Sequence, residues 1–160
     1  MMIMTMSLKE KLFICVNVDS GEAKLLLGSY HLSTNFQVYE FSCSGSEVIL
    51  YSQKHVDNLQ VIRDHYNKSI KVTSGFRNIT VNKRVGGVDQ SDHMKGLATD
   101  IVVSGVSSKE LKVVVNKVVG YYSNIITYYN TNHVHFTSVG THKRLIYVGH
   151  DIYKVDTSIL

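Results

Sequence analysis

The sequence predicts an α+β domain, a mostly antiparallel sheet with two main helices. Two segments, around residues 53–66 and 107–119, repeat apolar residues at three- and four-residue steps, the period of a half-buried helix. The remaining apolar runs are short, rich in Val, Ile and Tyr, and separated by clusters of turn-forming residues. Strand and helix patterns do not alternate regularly, as a parallel α/β sheet requires. With 160 residues, 44% of them hydrophobic and 19% charged, the chain is long and apolar enough for one buried core.

The elements follow in order. The start, Met1 to Ser7, is apolar but meets Lys9, Glu10 and Lys11 at once, with no small-residue cleavage site. The expectation is a chain without a signal peptide, left in the cytoplasm, and no run reaches transmembrane length. Leu12 to Val18 and Ala23 to Leu27 flank Asp19-Ser20-Gly21-Glu22 and read as a hairpin. Residues 1–28 are thus expected to be a hairpin extension packed on a domain of residues 29–160. Phe36 to Phe41 alternates weakly, and Ser42-Cys43-Ser44-Gly45-Ser46 is loop-like.

Ser52 can cap a helix over Gln53 to Tyr66, with Val56, Leu59, Ile62 and Tyr66 on its core face. Its His55 and His65, ten residues apart and flanked by charge, are expected at the surface or half-buried. Ile70 to Ser74 reads as a strand, and Asn78 to Gln90 as a long irregular loop. A strand over Thr99 to Val103 precedes a second helix, where Ser107 and Glu110 fit a capping box. Leu111, Val114, Val115, Val118 and Val119 form its buried face. Ile125 to Tyr129 with His133 to Thr137, and Leu145 to Val148 with Ile152 to Val155, read as two closing hairpins.

Charge and cysteine content exclude several functions. A net charge of +4 suits an anionic partner such as a wall polymer or nucleic acid. The lysines and arginines are scattered and form no stripe, so nucleic acid is the weaker option and the expectation is neither a nucleic-acid nor a membrane partner. The expected state is a monomer. Cys15 and Cys43 make no CxxC pair and are expected to be free thiols, so any zinc must be held by His and Asp.

The chemistry concentrates in two places. Ser91-Asp92-His93-Met94-Lys95-Gly96-Leu97-Ala98-Thr99-Asp100 sets an imidazole and a carboxylate seven positions apart, running into the apolar Ile101-Val102-Val103. His133-Val134-His135 is strand-like, so its two imidazoles point to one face, roughly 6–7 Å apart. Two imidazoles, one carboxylate and an open position make the ligand set of a catalytic zinc rather than a structural one.

These residues, with Ser74-Gly75-Phe76-Arg77 and Val85-Gly86-Gly87 upstream, read SGFR…VGG…SxHxxGxAxDI…VH. The string resembles the zinc D-alanyl-D-alanine carboxypeptidase and L-alanyl-D-glutamate endopeptidase family. Those enzymes cut peptidoglycan stem peptides, include phage endolysins and share their fold with the hedgehog signalling domain. The resemblance spans about His31 to Thr137. It implies Zn2+ held by His93, Asp100 and His135, with Arg77 on a substrate carbonyl or carboxylate and Ser91 on the substrate's terminal carboxylate or backbone. It also implies a phage or prophage lytic enzyme that reaches the wall after release or as part of a virion.

One departure matters. Many relatives carry an acid three residues before the last ligand, where this chain has Asn132, and others have a glutamate six before it, where this chain has Tyr129. His133 then stands as the catalytic base or donor, since histidine titrates in the useful range. Asp89 and Asp92 are weaker choices, and Asp92 could instead orient His93. The alternative reading is a zinc-stabilised wall- or protein-binding module that has lost its base.

Overall fold

The computed structural model describes residues 6–160, so the reading made on Met1 to Thr5 lies outside the described residues. Among the described residues, two sheets and three α-helices make up an α+β architecture, as expected. In the first sheet, β1 (Leu12–Asn17) pairs antiparallel with β2 (Glu22–Leu27) and parallel with β3 (Val48–Tyr51). The N-terminal hairpin is therefore hydrogen-bonded into the domain, and Phe13 and Cys15 of β1 are buried in the same core cluster as the helices.

The second sheet has six strands. These are β4 (Ile70–Ser74), β5 (Ala98–Val103), β6 (Asn124–Tyr128), β7 (His133–Thr137), β8 (Lys143–Gly149) and β9 (Ile152–Val155). Their spatial order is β4-β5-β7-β6-β8-β9, antiparallel throughout except where β6 meets β8. One face, carrying Ile101, Val134, Phe136 and Ile125, is fully buried. Helices α1 (Gln53–Tyr66) and α3 (Ser108–Val119) contribute Val56, Leu59, Ile62, Leu111 and Val115 to the same cluster. The other face is open, which is why its residues are free for chemistry.

Local sequence explains most boundaries. Ser52 accepts the His55 amide hydrogen at the start of α1, and Asn67 ends that helix in the left-handed conformation (φ 48°). Ser107 accepts the Glu110 amide at the start of α3. The segment Asn78 to Gln90 corrects the expected irregular loop, because it contains a short helix, α2 (Ile79–Arg84). Asn78 caps it by accepting the Val81 amide at 2.8 Å. Phe36 to Phe41, whose alternation is weak, ends in a 3-10 turn (Val38–Phe41) and buries Phe36, Val38 and Phe41.

Both cysteines are free thiols, and burial pushes the Cys15 thiol up to about 11. Charged groups also lie inside the fold. Lys112 of α3 pairs with Asp156 at 2.5 Å, and the Arg144 guanidinium is spent on Asn116 Oδ1 and on the carbonyls of Gly120 and Ser123. These contacts fasten the C-terminal hairpin to α3.

His55 corrects another expectation, since it is 3% exposed rather than at the surface. Its position four residues before Leu59 and seven before Ile62 places it on the core stripe, whatever the charge of its sequence neighbours. Its ring nitrogens meet Ser138 Oγ at 2.7 Å and Thr99 Oγ1 at 2.8 Å, and the ring lies 4.4 Å from that of Phe136. Burial, helped by the nearby His135 and His93, lowers its pKa from 6.5 to about 3. A histidine held neutral in the fold but protonated when unfolded stabilises the protein above pH 6.5 and loses that contribution as pH falls toward 3. Urea titrations are expected to show a stability loss of up to about 1.4 kcal/mol per pH unit in that window. His55→Gln should flatten the profile; an unchanged slope in that variant would refute the assignment.

Candidate metal centre

Two adjacent strands and one tight turn build the site. Asp100 on β5 and His135 on β7 are directly opposed across the antiparallel ladder, so both side chains rise from the open face. His93 enters from a 3-10 turn (Asp92–Lys95) that Ser91 caps, its Oγ accepting the His93 amide at 3.3 Å. Gly96 closes that turn at φ 72°, and its amide reaches the carbonyls of Asp92 and His93. A Cβ at Gly96 would sit 2.5 Å from the Leu50 backbone carbon, so glycine is needed both for the backbone conformation and for close approach to β3.

The three side chains meet. His135 Nδ1 lies 2.9 Å from Asp100 Oδ1 and 3.2 Å from His93 Nε2, while His93 Nε2 lies 3.3 Å from the same carboxylate oxygen. Among the described residues, these are the His, Cys, Asp or Glu donors whose ligand atoms all fall within 4.8 Å of one another.

The protonation pattern indicates what belongs between them. His93 Nδ1 faces the Gly75 carbonyl at 2.8 Å and must donate to it, so Nε2 presents a lone pair to the cluster. Burial opposes ionisation of Asp100, but its contacts with His135 and His93 outweigh that and hold the carboxyl well below the usual carboxylate range. One proton on His135 can bridge to Asp100, but the His93 lone pair still faces an anionic oxygen. A cation satisfies all three groups. The spacings match as well, since tetrahedral ligand atoms at roughly 2.0–2.1 Å from one centre lie about 3.3 Å apart.

Around the cluster, Arg77 places Nη2 3.4 Å from Asp100 Oδ2, the oxygen turned away from the histidines. Its Nε donates to Ser74 Oγ at 2.9 Å, and Nη1 lies 3.5 Å from Asn82 Oδ1. Asn82 is itself buried and donates to the Val88 carbonyl, so α2 helps to aim the guanidinium. Sequence reading missed that residue, although Asn78 three before Val81 is a usable cap signal. Arg77, Asp100 and His133 line one open pocket of about 360 Å³ with Ser42, Cys43 and Thr73 on its walls.

His133 stacks on Tyr128 at 4.2 Å, and its Nδ1 meets Thr131 Oγ1 at 2.6 Å. Burial lowers its pKa, opposed by the Asp100 charge. Asn132 is engaged elsewhere: its Oδ1 accepts the Ser108 amide at 2.7 Å at the start of α3. The Tyr129 hydroxyl oxygen accepts from Lys112 Nζ at 2.8 Å. Asp92 pairs with Lys95 at 3.8 Å, and Asp89 is exposed. The Gly75 carbonyl rather than Asp92 orients the His93 ring, which corrects the expectation for Asp92.

Replacing Gly96 with alanine should destabilise the fold by about 2–3 kcal/mol in denaturant titrations, from the strained φ and the contact with β3. A loss below about 0.5 kcal/mol would show that the turn tolerates a side chain.

Residues 33–137 match the sequence model of the Peptidase M15 family. No curated protein matches significantly. The matched stretch contains every residue of the cluster together with Arg77, Ser91 and His133, and the chain belongs to the Peptidase M15 family.

Proposed function

We infer that the chain is a zinc-dependent hydrolase of peptide bonds involving D-amino acids in peptidoglycan stem peptides, of the D,D-carboxypeptidase or L-Ala–D-Glu endopeptidase type. The observation that carries this reading is the convergence of the His93, Asp100 and His135 donors beside a pocket that also holds Arg77 and His133. When bound, zinc supplies Lewis acidity that polarises a scissile carbonyl and makes water nucleophilic near neutral pH.

The remaining roles belong to the chain. Arg77 is fixed by Ser74, Asn82 and Asp100, so its guanidinium is preorganised to hold a substrate carbonyl oxygen as charge develops there. His133 Nδ1 is engaged by the Thr131 hydroxyl, and in the tautomer that donates there Nε2 is left as the acceptor. Its lowered pKa leaves it neutral at pH 7, able to take a proton from water and return it to the leaving amine. Ser91 retains its hydroxyl hydrogen after accepting the His93 amide, and is assigned to the substrate's carboxylate or backbone. A phage or prophage source, with action on the wall after release or from a virion, completes the proposal.

The second reading is a zinc-stabilised binding module without catalysis. It is favoured by one observation: Asn132 and Tyr129, at the positions where relatives carry an acid, are both occupied in holding α3.

Digestion of purified stem peptides separates the two. Release of D-Ala, or of a fragment cut before D-Glu, that stops with chelator and returns with zinc is the expected result. Stoichiometric zinc binding with intact substrate would leave the module. His133→Gln should lower kcat/KM by roughly 10²–10⁴-fold. Activity of the parent should fall at acid pH, with a midpoint below 6.5, as His133 takes up its proton. An undiminished His133→Gln enzyme would remove this histidine from the chemistry.

A further inference from the structure

The open face of the six-stranded sheet carries a row of rings that starts at His133 and continues over three tyrosines to which the proposed hydrolysis gives no role. His133 on β7, Tyr128 on β6, Tyr147 on β8 and Tyr153 on β9 stand opposite one another in register from strand to strand. Successive ring centroids are 4.2, 5.0 and 5.2 Å apart. The row begins at the pocket that His133 shares with Asp100 and Arg77, and ends at the sheet edge, where Tyr153 is 42% exposed. Strand spacing makes it roughly 14 Å long.

Cross-strand aromatic pairs stabilise sheets. Here the rings continue across every strand from β7 to the edge on the solvent-facing side. The next row along the same face, Ile126, Leu145 and Val155, is apolar as well. Neither run of tyrosines nor these neighbours carries a lysine, arginine or carboxylate. The rings lean on one another, His133 and Tyr128 stacked at 13°, so the row presents a strip of uncharged ring edges and phenolic hydroxyls that is most exposed at Tyr153. Apolar edges interleaved with hydroxyls that donate and accept, and no formal charge, suit a neutral polyhydroxylated ring such as a pyranose.

We propose that the tyrosine row docks a sugar ring of the glycan strand to which the stem peptide is attached. This rests on the peptidase reading. An extended residue spans about 3.3–3.6 Å, so a platform of roughly 14 Å accommodates a glycan end within about four residues of the bond being cut. Continuity with the catalytic pocket selects the sugar over a second copy of this chain.

The test uses the zinc-loaded full chain. The chain has ten tyrosines and no tryptophan, so ring occupancy can be read from tyrosine emission. Titration with the N-acetylglucosaminyl-N-acetylmuramic acid disaccharide should give saturable quenching. Tyr147→Ala or Tyr153→Ala should weaken that binding about tenfold or more, and Tyr153→Phe, which keeps the ring, should restore most of it.

For turnover, the ratio of kcat/KM on disaccharide-linked to sugar-free stem peptide should drop by a similar factor in the alanine variants. Absence of disaccharide binding by the folded parent would overturn the proposal even if stem peptides are cut. Disaccharide binding without peptide cleavage would support it while refuting the peptidase reading. A parent dimer that Tyr147→Ala converts to monomer would assign the face to a second copy and overturn it too.

Discussion

The site depends on one pairing in the ladder between β5 and β7, where Asp100 and His135 are opposed on the same face. Because side chains alternate along a strand, a slip of one residue would turn one of the two into the core and bring Thr99 or Phe136 to the surface. The register is held by what lies on the reverse side. Ile101, Val134 and Phe136 are fully buried against the helices, and Thr99 is clamped by His55. The ligands are thus aimed by a close-packed layer to which they do not themselves belong. This is how a half-open sheet can hold polar groups in a geometry that would be repulsive without a cation.

Electrostatics then divides the labour within a small volume. Asp100 turns one oxygen to the histidines and the other to Arg77, so a single carboxylate ties the cluster to the guanidinium. The Gly75 carbonyl sets the His93 tautomer, and Gly75 itself is packed against Phe41, so the backbone supplies the orienting group. Asn132 and Tyr129 show the converse. Their side chains are bound to Ser108 and Lys112, and the residues at these positions contribute to holding α3. The proton-transfer role can then fall on His133, which shares the ligand strand and the ligand face.

Much of this was legible in the sequence for physical reasons. Both main helices announce themselves through a serine cap and a 3.6-residue apolar period, and α1 begins and ends where that pattern does. The two-residue alternation of His133-Val134-His135 places both imidazoles on one face, and the burial of Val134 between them agrees. What was not legible depended on tertiary neighbours. His55 looked like a surface residue because its sequence neighbours are charged, yet its partners, Thr99 and Ser138, are supplied by distant strands. Helix α2 spans only 79–84, too short for periodicity to register, and the role of Asn82 in aiming Arg77 was hidden with it. The parallel pairing of β6 with β8 could not be read from hairpin signals, which report only sequential neighbours.

The central claim is that His93, Asp100 and His135 surround one cation and leave it open toward Arg77 and His133. Anomalous diffraction at the zinc edge, from crystals grown with excess zinc, tests it directly. The expected result is one strong peak within about 2.0–2.2 Å of all three ligands, with no fourth protein ligand on the pocket side. A cluster with no peak, or a peak closed off by a fourth side chain, would contradict it.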